Sequence, residues 1–369
     1  TLSLHDALPI CSGGNSDGSA SNANTHPDGG ASEASADGAL PVDGAEGSVF
    51  DVTSSDAHDI TIYPKDPVIT VSTGQPIPSL TFEARVNDKS VTALWLVDRG
   101  EIGLIDVHSG VFEPGGAIAG VAKVVATVGT EDVSTTVTVK ISVVQNGGTG
   151  GSGSGGVGGE GPGVPVNAAI QGILEGATTA DPNFRWLYPY DGTVWPLGLL
   201  SPLLQWTQGA APAEAVYIHL SSEHYDYKGF FGLPPALPPG APLVRHPIPQ
   251  EVWKAATTSN AGGTLTASLV VAAGGTAYGP ISQTWKLASG PLKGTVYYQS
   301  YGTALAKNYG GGIGGDGQFG GATLAIRGDS SEPTLVAGSN GGLKECRVCH
   351  SVSADGSRMI VQRGDDYAA

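Results

Sequence analysis

Short runs of alternating apolar and polar residues, separated by turn-forming residues, constrain the fold of this chain more than any other feature. Such runs occur at Asp59–Tyr63, Val68–Val71 and Leu80–Ala84, and again at Ala93–Val97 and Val133–Val144. A period of two places successive side chains on opposite faces of a half-buried β-strand. Turn clusters between such runs are typical of antiparallel sandwiches, and the 57 Gly and 25 Pro residues supply them. The sequence therefore predicts an all-β protein.

Changes of composition divide the chain into six segments. Segments 57–145 and 166–290 carry most of the alternating runs, and each is predicted to form a β-sandwich. The Gly/Ser-rich segment 146–165 between them is predicted to be a random-coil linker that lets its neighbours move independently. Segment 291–369 carries three further predicted strands, at Thr295–Tyr298, Ala322–Ile326 and Pro333–Ala337.

The first two segments are predicted to lie outside any folded domain. Residues 1–10 resemble one translated frame of a widely used sequencing adapter and are interpreted as an artefactual scar, so the natural N-terminus is expected to be missing. Residues 11–56 have almost no large apolar side chains to offset backbone entropy, which predicts a disordered acidic tether. Cys11 followed by Ser12 and Gly13 would suit the lipid-anchored start of a lipoprotein, but its codon lies at the adapter boundary, so its origin stays open.

Segment 57–145 resembles a bacterial Ig-like domain of group 2. The resemblance rests on Phe82–Ala84, Trp95–Asp98 and Gly103–Asp106, and it continues through Gly110–Phe112 and Val124–Ala126. It implies that Trp95 fills the core between two sheets and that the domain serves in surface display, spacing or adhesion. His108 lies in a predicted turn and is expected to be solvated.

Segment 166–290 is similar to a fibronectin type III-like domain. The similarity rests on Tyr188-Pro189 followed by Asp191-Gly192, on Pro202–Trp206, on the strand around Tyr217 and on Trp285. A short helix is predicted over Pro249–Ala256, with Pro near its start. Seven aromatic residues near turns leave two interpretations open, stacking on a sugar or closing the ends of the core: Tyr188, Tyr190, Trp195, Tyr225, Tyr227, Phe230 and Phe231.

The pattern Cys-x-x-Cys-His at Cys346, Cys349 and His350 carries the most specific chemistry. Two thiols at this spacing can each add to one vinyl group of a porphyrin, and the adjacent imidazole can then bind the iron. The pattern therefore predicts covalent haem c. A Cys346–Cys349 disulfide remains an alternative. A zinc site would need two more ligands, and the chain has no second Cys/His pair to supply them.

The residues after this motif resemble the start of a TolB-like β-propeller. Ser353–Gly356 forms a Ser-x-Asp-Gly turn before the apolar strand Met359–Val361. A haem-attachment motif directly before such a turn resembles the start of exported bacterial cytochrome-like propeller proteins. The resemblance implies an incomplete propeller over residues 291–369, with a truncated C-terminus. Met359 is the single Met, and it is either the sixth iron ligand or a residue of the blade core.

Charge and motif content exclude several classes of function. A net charge of −16 disfavours nucleic acid and binding to anionic lipid through a basic patch, and no apolar run reaches 18 residues, so membrane contact would require the lipid anchor. Gly310–Gly315 matches a nucleotide-binding pattern but follows no clear strand and opens no helix, so no nucleotide is expected.

Two functions follow from these patterns, and no catalytic residue is singled out in either. One is an extracytoplasmic redox or electron-transfer protein carrying haem c, which needs a redox partner. The other is a non-catalytic surface adhesion protein that binds carbohydrate or protein, in which Cys346 and Cys349 form a structural disulfide. Both require export, and the sequence does not decide whether the chain is an enzyme.

Overall fold

The computed structural model describes residues 59–148, 163–232, 243–303, 305–308, 320–328, 330, 332–342 and 345–363. The predicted scar, the predicted tether with Cys11, most of the Gly/Ser linker and the Gly310–Gly315 motif lie outside the described residues. Strands dominate the described part of the chain, which contains two short helices. The all-β fold class predicted from the sequence is confirmed.

Segment 57–145 folds into ten strands whose buried positions alternate as the sequence predicts. Trp95 and Phe82 lie in the core, with ring centroids 6.0 Å apart. Gly110 has a φ of +69°, and a Cβ there would lie 2.6 Å from the Phe82 carbonyl oxygen, so both conformation and space require Gly. His108 is exposed in the turn, as expected. The strands are β1 (Ile60–Tyr63), β2 (Val68–Ser72), β3 (Leu80–Thr81), β4 (Glu83–Val86), β5 (Lys89–Val91), β6 (Leu94–Val97), β7 (Gly103–Ile105), β8 (Val111–Pro114), β9 (Gly120–Val128) and β10 (Glu131–Asn146).

Segment 166–290 adds two helices and eight strands. The predicted short helix is confirmed as α2, which begins just after Pro249. Three Trp rings, from Trp195, Trp253 and Trp285, pack edge to face in the core with centroids 5.3–6.1 Å apart. The elements are α1 (Ala168–Glu175), β11 (Trp186–Tyr188), β12 (Val194–Leu197), β13 (Leu203–Thr207), β14 (Ala215–Ser221), β15 (Tyr225–Gly232), β16 (Leu243–Pro247), α2 (Gln250–Ser259), β17 (Thr264–Ala273) and β18 (Thr276–Pro291).

One nine-stranded sheet runs through both of these segments. Strand β10 pairs antiparallel with β9 along Glu131–Val139 and then parallel with β15 along Ile141–Asn146. The two ends of the linker lie next to each other, because the Gly148 N–H donates to the Gly163 carbonyl oxygen at 3.0 Å. Independent motion of the two segments, expected from the linker composition, is therefore wrong: backbone pairing outside the linker joins them, and a single hydrophobic core extends through both.

The C-terminal segment forms a three-stranded antiparallel sheet followed by a hairpin. The sheet contains β19 (Thr295–Thr303), β20 (Gly320–Arg327) and β21 (Thr334–Ala337), which confirms the three strands predicted here. The hairpin consists of β22 (Arg347–Val352) and β23 (Met359–Arg363). Within the described residues after 291, no sheet has four strands and no ring of blades closes, so the propeller stays a prediction.

His246 is a fully buried titratable group in the core. It lies on β16 opposite Leu204 of β13, and its Nδ1–H donates to the Pro247 carbonyl oxygen at 2.8 Å. The ring packs 4.7 Å from that of Phe231, and the buried Nε2 has no hydrogen-bond partner among the described residues. Burial lowers the pKa of His246 to about 4 from its ordinary 6.5, because a charged imidazole would lose its hydration.

We expect this histidine to weaken the fold in mild acid. Between pH 6.5 and 4 the unfolded chain binds a proton at residue 246 that the folded chain does not, so stability falls as pH falls, by on the order of 3 kcal/mol over the whole interval. Urea unfolding at pH 7, 5.5 and 4.5 measures this slope. His246→Gln should lose it, whereas His108→Gln, at an exposed turn, should keep it. Equal slopes in the wild type and His246→Gln would contradict the assignment.

Candidate functional site

The Cys-x-x-Cys-His motif lies at the start of β22, beside the β19–β20 sheet. Cys346 precedes the strand and is 3% exposed, whereas Cys349 is exposed. Val348 and His350 pair with the consecutive residues Gln362 and Val361, so Cys349 is the extra residue of a β-bulge. Its φ of +53° is uncommon for a residue with a side chain. The bulge presents the Cys349 side chain at the surface of the hairpin.

Gln299 of β19 contacts both ends of this bulge. With its carboxamide oxygen toward His350, it accepts from the Nδ1–H and from the backbone N–H, the latter at 3.2 Å. The carboxamide nitrogen then donates to the Arg347 carbonyl oxygen at 3.3 Å. The opposite orientation would face the nitrogen to a backbone donor and the oxygen to a backbone acceptor, so the contacts select one orientation. Gln299 therefore acts as a side-chain partner for backbone groups on both sides of Cys349.

Asn308 holds the segment that leads into the motif. Its side chain is fully buried, and its Nδ2 donates to the carbonyl oxygens of Gly321 (3.0 Å), Ser339 (3.2 Å) and Glu345 (3.3 Å). Its Oδ1 accepts from the Gly321 N–H at 2.8 Å. One carboxamide thus joins the start of β20 to the residue just before Cys346, and its polar atoms are satisfied despite complete burial.

The sequence did not single out Gln299 or Asn308. Gln299 follows an apolar strand pattern, and Asn308 lies in the loop after β19, where Asn is a common turn former. The sequence signal that could have identified Gln299 is a long polar side chain directly after the predicted strand Thr295–Tyr298. That pattern is also typical of solvated strand ends, so only the position of β22 distinguishes the two cases.

Met359 lies on the same face of the hairpin as His350. Met359 pairs with Val352, and His350 pairs with Val361. Residues two apart on a strand share a face, so His350, Val352 and Met359 lie on one side of the hairpin. Two axial ligands approach iron from opposite sides of a porphyrin, whereas these two side chains leave one surface at neighbouring positions. With the hairpin paired, this geometry favours Met359 as a hairpin residue over Met359 as the sixth ligand, and a ligand role for it stays a prediction.

The donor set is compatible with haem attachment in its chemistry. Two thiols and an imidazole lie within five consecutive residues, and the imidazole Nδ1 is held by an acceptor, which is typical of a metal-binding histidine. A porphyrin edge would meet Cys349 at the surface. Cys346 is 3% exposed, so its attachment to the second vinyl group would require a local rearrangement. Among the described residues, no group of three or more His, Cys, Asp or Glu side chains is placed to hold a metal ion.

The Ser-x-Asp-Gly turn after the motif forms as predicted. Gly356 has a φ of +72°, which Gly adopts without a steric penalty. The Asp355 carboxylate accepts from the hydroxyls of Ser353 and Ser357 at 2.6 and 2.8 Å and from the Ser357 N–H at 3.1 Å. These bonds favour the ionised form and lower the pKa of Asp355 to about 2. The carboxylate thus has a structural role in closing the hairpin.

Most of the aromatic residues considered for sugar stacking are buried. Trp195, Tyr225, Tyr227, Phe230 and Phe231 are all at most 4% exposed, so they fill the core and offer no stacking face. Of the seven aromatic residues considered, Tyr190 alone is largely exposed, and its ring packs against that of Tyr188. This pair could still contact a ligand, but the structure does not bring the other five to the surface beside it.

Comparisons with known proteins return distant structural similarity only. No protein-family model matches the chain, and no curated protein matches it. Solved structures with similar strand arrangements include extracellular domains 3–5 of Drosophila OTK (9% identity, 63% of this chain, 61% of that chain, TM-score 0.19). They also include titin domains z1z2 in complex with telethonin (13%, 63%, 98%, 0.18) and tandem Ig repeats of Dlar (12%, 63%, 98%, 0.18). At these TM-scores the chains do not superpose as wholes.

Asn308 should control access to Cys346. Asn308→Ala removes a buried carboxamide and leaves backbone groups of β20 and Glu345 without their partner, so we expect a loss on the order of 2–3 kcal/mol. After reduction, thiol labelling with mass spectrometry should show Cys349 reacting faster than Cys346 in the wild type, and a clear gain at Cys346 in the variant. Asn167→Ala, which removes the side-chain N-cap of α1 in segment 166–290, is the matched control. Unchanged labelling of Cys346 in Asn308→Ala would contradict this role.

Proposed function

We propose that this chain is an exported, multidomain surface protein that carries covalent haem at Cys346, Cys349 and His350 and transfers electrons. The observation that carries the proposal is the Gln299–His350 contact. An imidazole that donates through Nδ1 keeps its ligand lone pair on Nε2, the arrangement in which histidine binds a metal. The haem iron would supply a one-electron couple, and the protein residues would attach, orient and partly shield it.

The rest of the chain supports this function as a scaffold. The nine-stranded sheet joins the two sandwich segments without relying on the linker, so they would act as one packed scaffold for the C-terminal segment. No helix among the described residues is long and apolar enough to cross a membrane. The proposal includes a lipid anchor at Cys11 for surface attachment and a second extracytoplasmic redox protein as the electron donor or acceptor.

A denaturing gel stained for haem peroxidase activity tests the proposal directly. Protein from a host that matures c-type cytochromes should give a stained band, and Cys346→Ala/Cys349→Ala should give none, because thioether bonds alone survive denaturation. His350→Ala should reduce the stain and alter the Soret band of any haem that is attached. A wild-type chain that remains unstained, while a known c-type cytochrome from the same host stains, would contradict the proposal.

An exposed apolar patch favours protein binding as a second candidate function. Strand β6 buries Trp95 but turns Leu94 and Leu96 outward, at 52% and 64% exposure. Val125 of β9 lies opposite Leu96 and is half-buried. Outward positions of a sandwich strand are usually polar, and exposed apolar clusters often mark interaction sites. In this alternative the chain is a surface adhesion protein, and Cys346 and Cys349 have a structural role.

Binding arrays of glycans and extracellular matrix proteins separate the two candidates. If the chain is an adhesion protein, the wild type should bind a protein on the array, and Leu94→Ser/Leu96→Ser should lower that binding at least tenfold. Leu104→Ser, at another exposed leucine on β7, is the matched control and should bind as the wild type does. Absence of binding by a correctly folded wild type, or equal binding by the double variant, would exclude this surface.

A further inference from the structure

Beside Tyr297, whose ring centroid lies 6.5 Å from that of His350, Gln299 is a side chain through which β19 reaches the motif. Its half-buried carboxamide contacts the backbone of Arg347 on one side of the Cys349 bulge and both the backbone N–H and the imidazole of His350 on the other. A β-bulge leaves its extra residue outside the ladder, so nearby backbone groups need other partners. Gln299 supplies a donor and an acceptor in one rigid planar group, as a strand backbone would.

Thr323 of β20 keeps this carboxamide in place. It is fully buried, faces Gln299 in the β19–β20 register, and its hydroxyl lies 3.3 Å from the carboxamide nitrogen when the oxygen faces His350. The same hydroxyl also lies within hydrogen-bond distance of the Arg347 carbonyl oxygen, at 3.4 Å. Gln299, Thr323 and Arg347 therefore form a connected polar set in which each member limits the freedom of the others.

We propose that Gln299 is a positioning residue for His350: its carboxamide oxygen selects the Nδ1–H tautomer and fixes the ring, so that Nε2 is the nitrogen offered to iron. The role as a positioning residue for a ligand rests on the proposed haem function. The contact and its effect on the tautomer concern only this chain's own residues. A neutral amide acceptor leaves the imidazole less electron-rich than a carboxylate acceptor would, so residue 299 should also tune the reduction potential.

The haem-free chain provides the first test. Long-range ¹H–¹⁵N NMR correlations of selectively labelled histidine distinguish the two imidazole tautomers. The wild type should show His350 as the Nδ1–H form, Gln299→Glu should keep that form, and Gln299→Leu should lower its population. Gln362→Leu makes the same substitution on β23, opposite Val348, and should leave the tautomer as in the wild type.

The haem-loaded chain provides the second test. Relative to the wild type, Gln299→Glu should lower the reduction potential and Gln299→Leu should raise it. Imidazole added to Gln299→Leu should displace His350 from iron at concentrations about 10–100-fold lower than in the wild type, as read from the Soret band. Gln362→Leu should match the wild type in both measurements. Melting curves by circular dichroism identify any variant that fails to fold, and Gln299→Glu retains the acceptor for that case.

The outcomes separate this inference from the proposed function. An Nε2–H tautomer in the wild type, or the same tautomer in Gln299→Leu as in Gln362→Leu, would overturn the positioning role whether or not haem is attached. Attached haem with equal potentials in all four proteins would also overturn it. A chain that never attaches haem would overturn the proposed function, and the NMR result would then decide the Gln299–His350 contact alone.

Discussion

The pairing of β10 with β15 is the interaction on which the rest of this structure depends. A single 16-residue strand completes the sandwich of the first segment along β9 and then enters the sheet of the second segment. The Tyr227 hydroxyl donates to the Gln145 side chain at 3.0 Å, and the Ala119 N–H donates to the Ser259 hydroxyl at 2.9 Å, so further contacts lock the same junction. Backbone ladders and a shared core make the two segments one packed unit.

The C-terminal segment combines a small apolar cluster with buried polar side chains. Its own apolar cluster contains Ala306, Ala322 and Leu324, and Val296 and Ile326 pack with the main core, which contains several Trp, Tyr and Phe side chains. Buried carboxamide and hydroxyl groups supply much of the remaining order, with Asn308 and Thr323 both fully buried. Such a network is favourable only while every member is paired, so it specifies one arrangement of β19, β20 and β22. The motif thus lies beside a network of buried polar side chains that contacts its backbone.

Much of the fold could be predicted from local pattern, whereas the partners of the motif could not. The alternating burial of β9, the solvated turn at His108 and the helix after Pro249 follow from period, turn chemistry and Pro geometry, all of which act within a few residues. The partner of β10 and the acceptor for His350 lie 84 and 51 residues away, respectively, and no local preference encodes them. The linker composition even predicted the wrong relation between the two sandwich segments.

The sequence by itself determined the all-β class and most strand positions, and it supplied the three residues proposed to hold haem, because these depend on side-chain period and on ligand spacing over a few positions. Only the tertiary structure decided that the two sandwich segments share a sheet and that five of seven candidate sugar-stacking aromatics are buried. It also decided that Cys346 is covered while Cys349 is exposed, and that Gln299 faces His350. These features depend on which strands meet, and that choice is set by burial and hydrogen bonding summed over the whole chain.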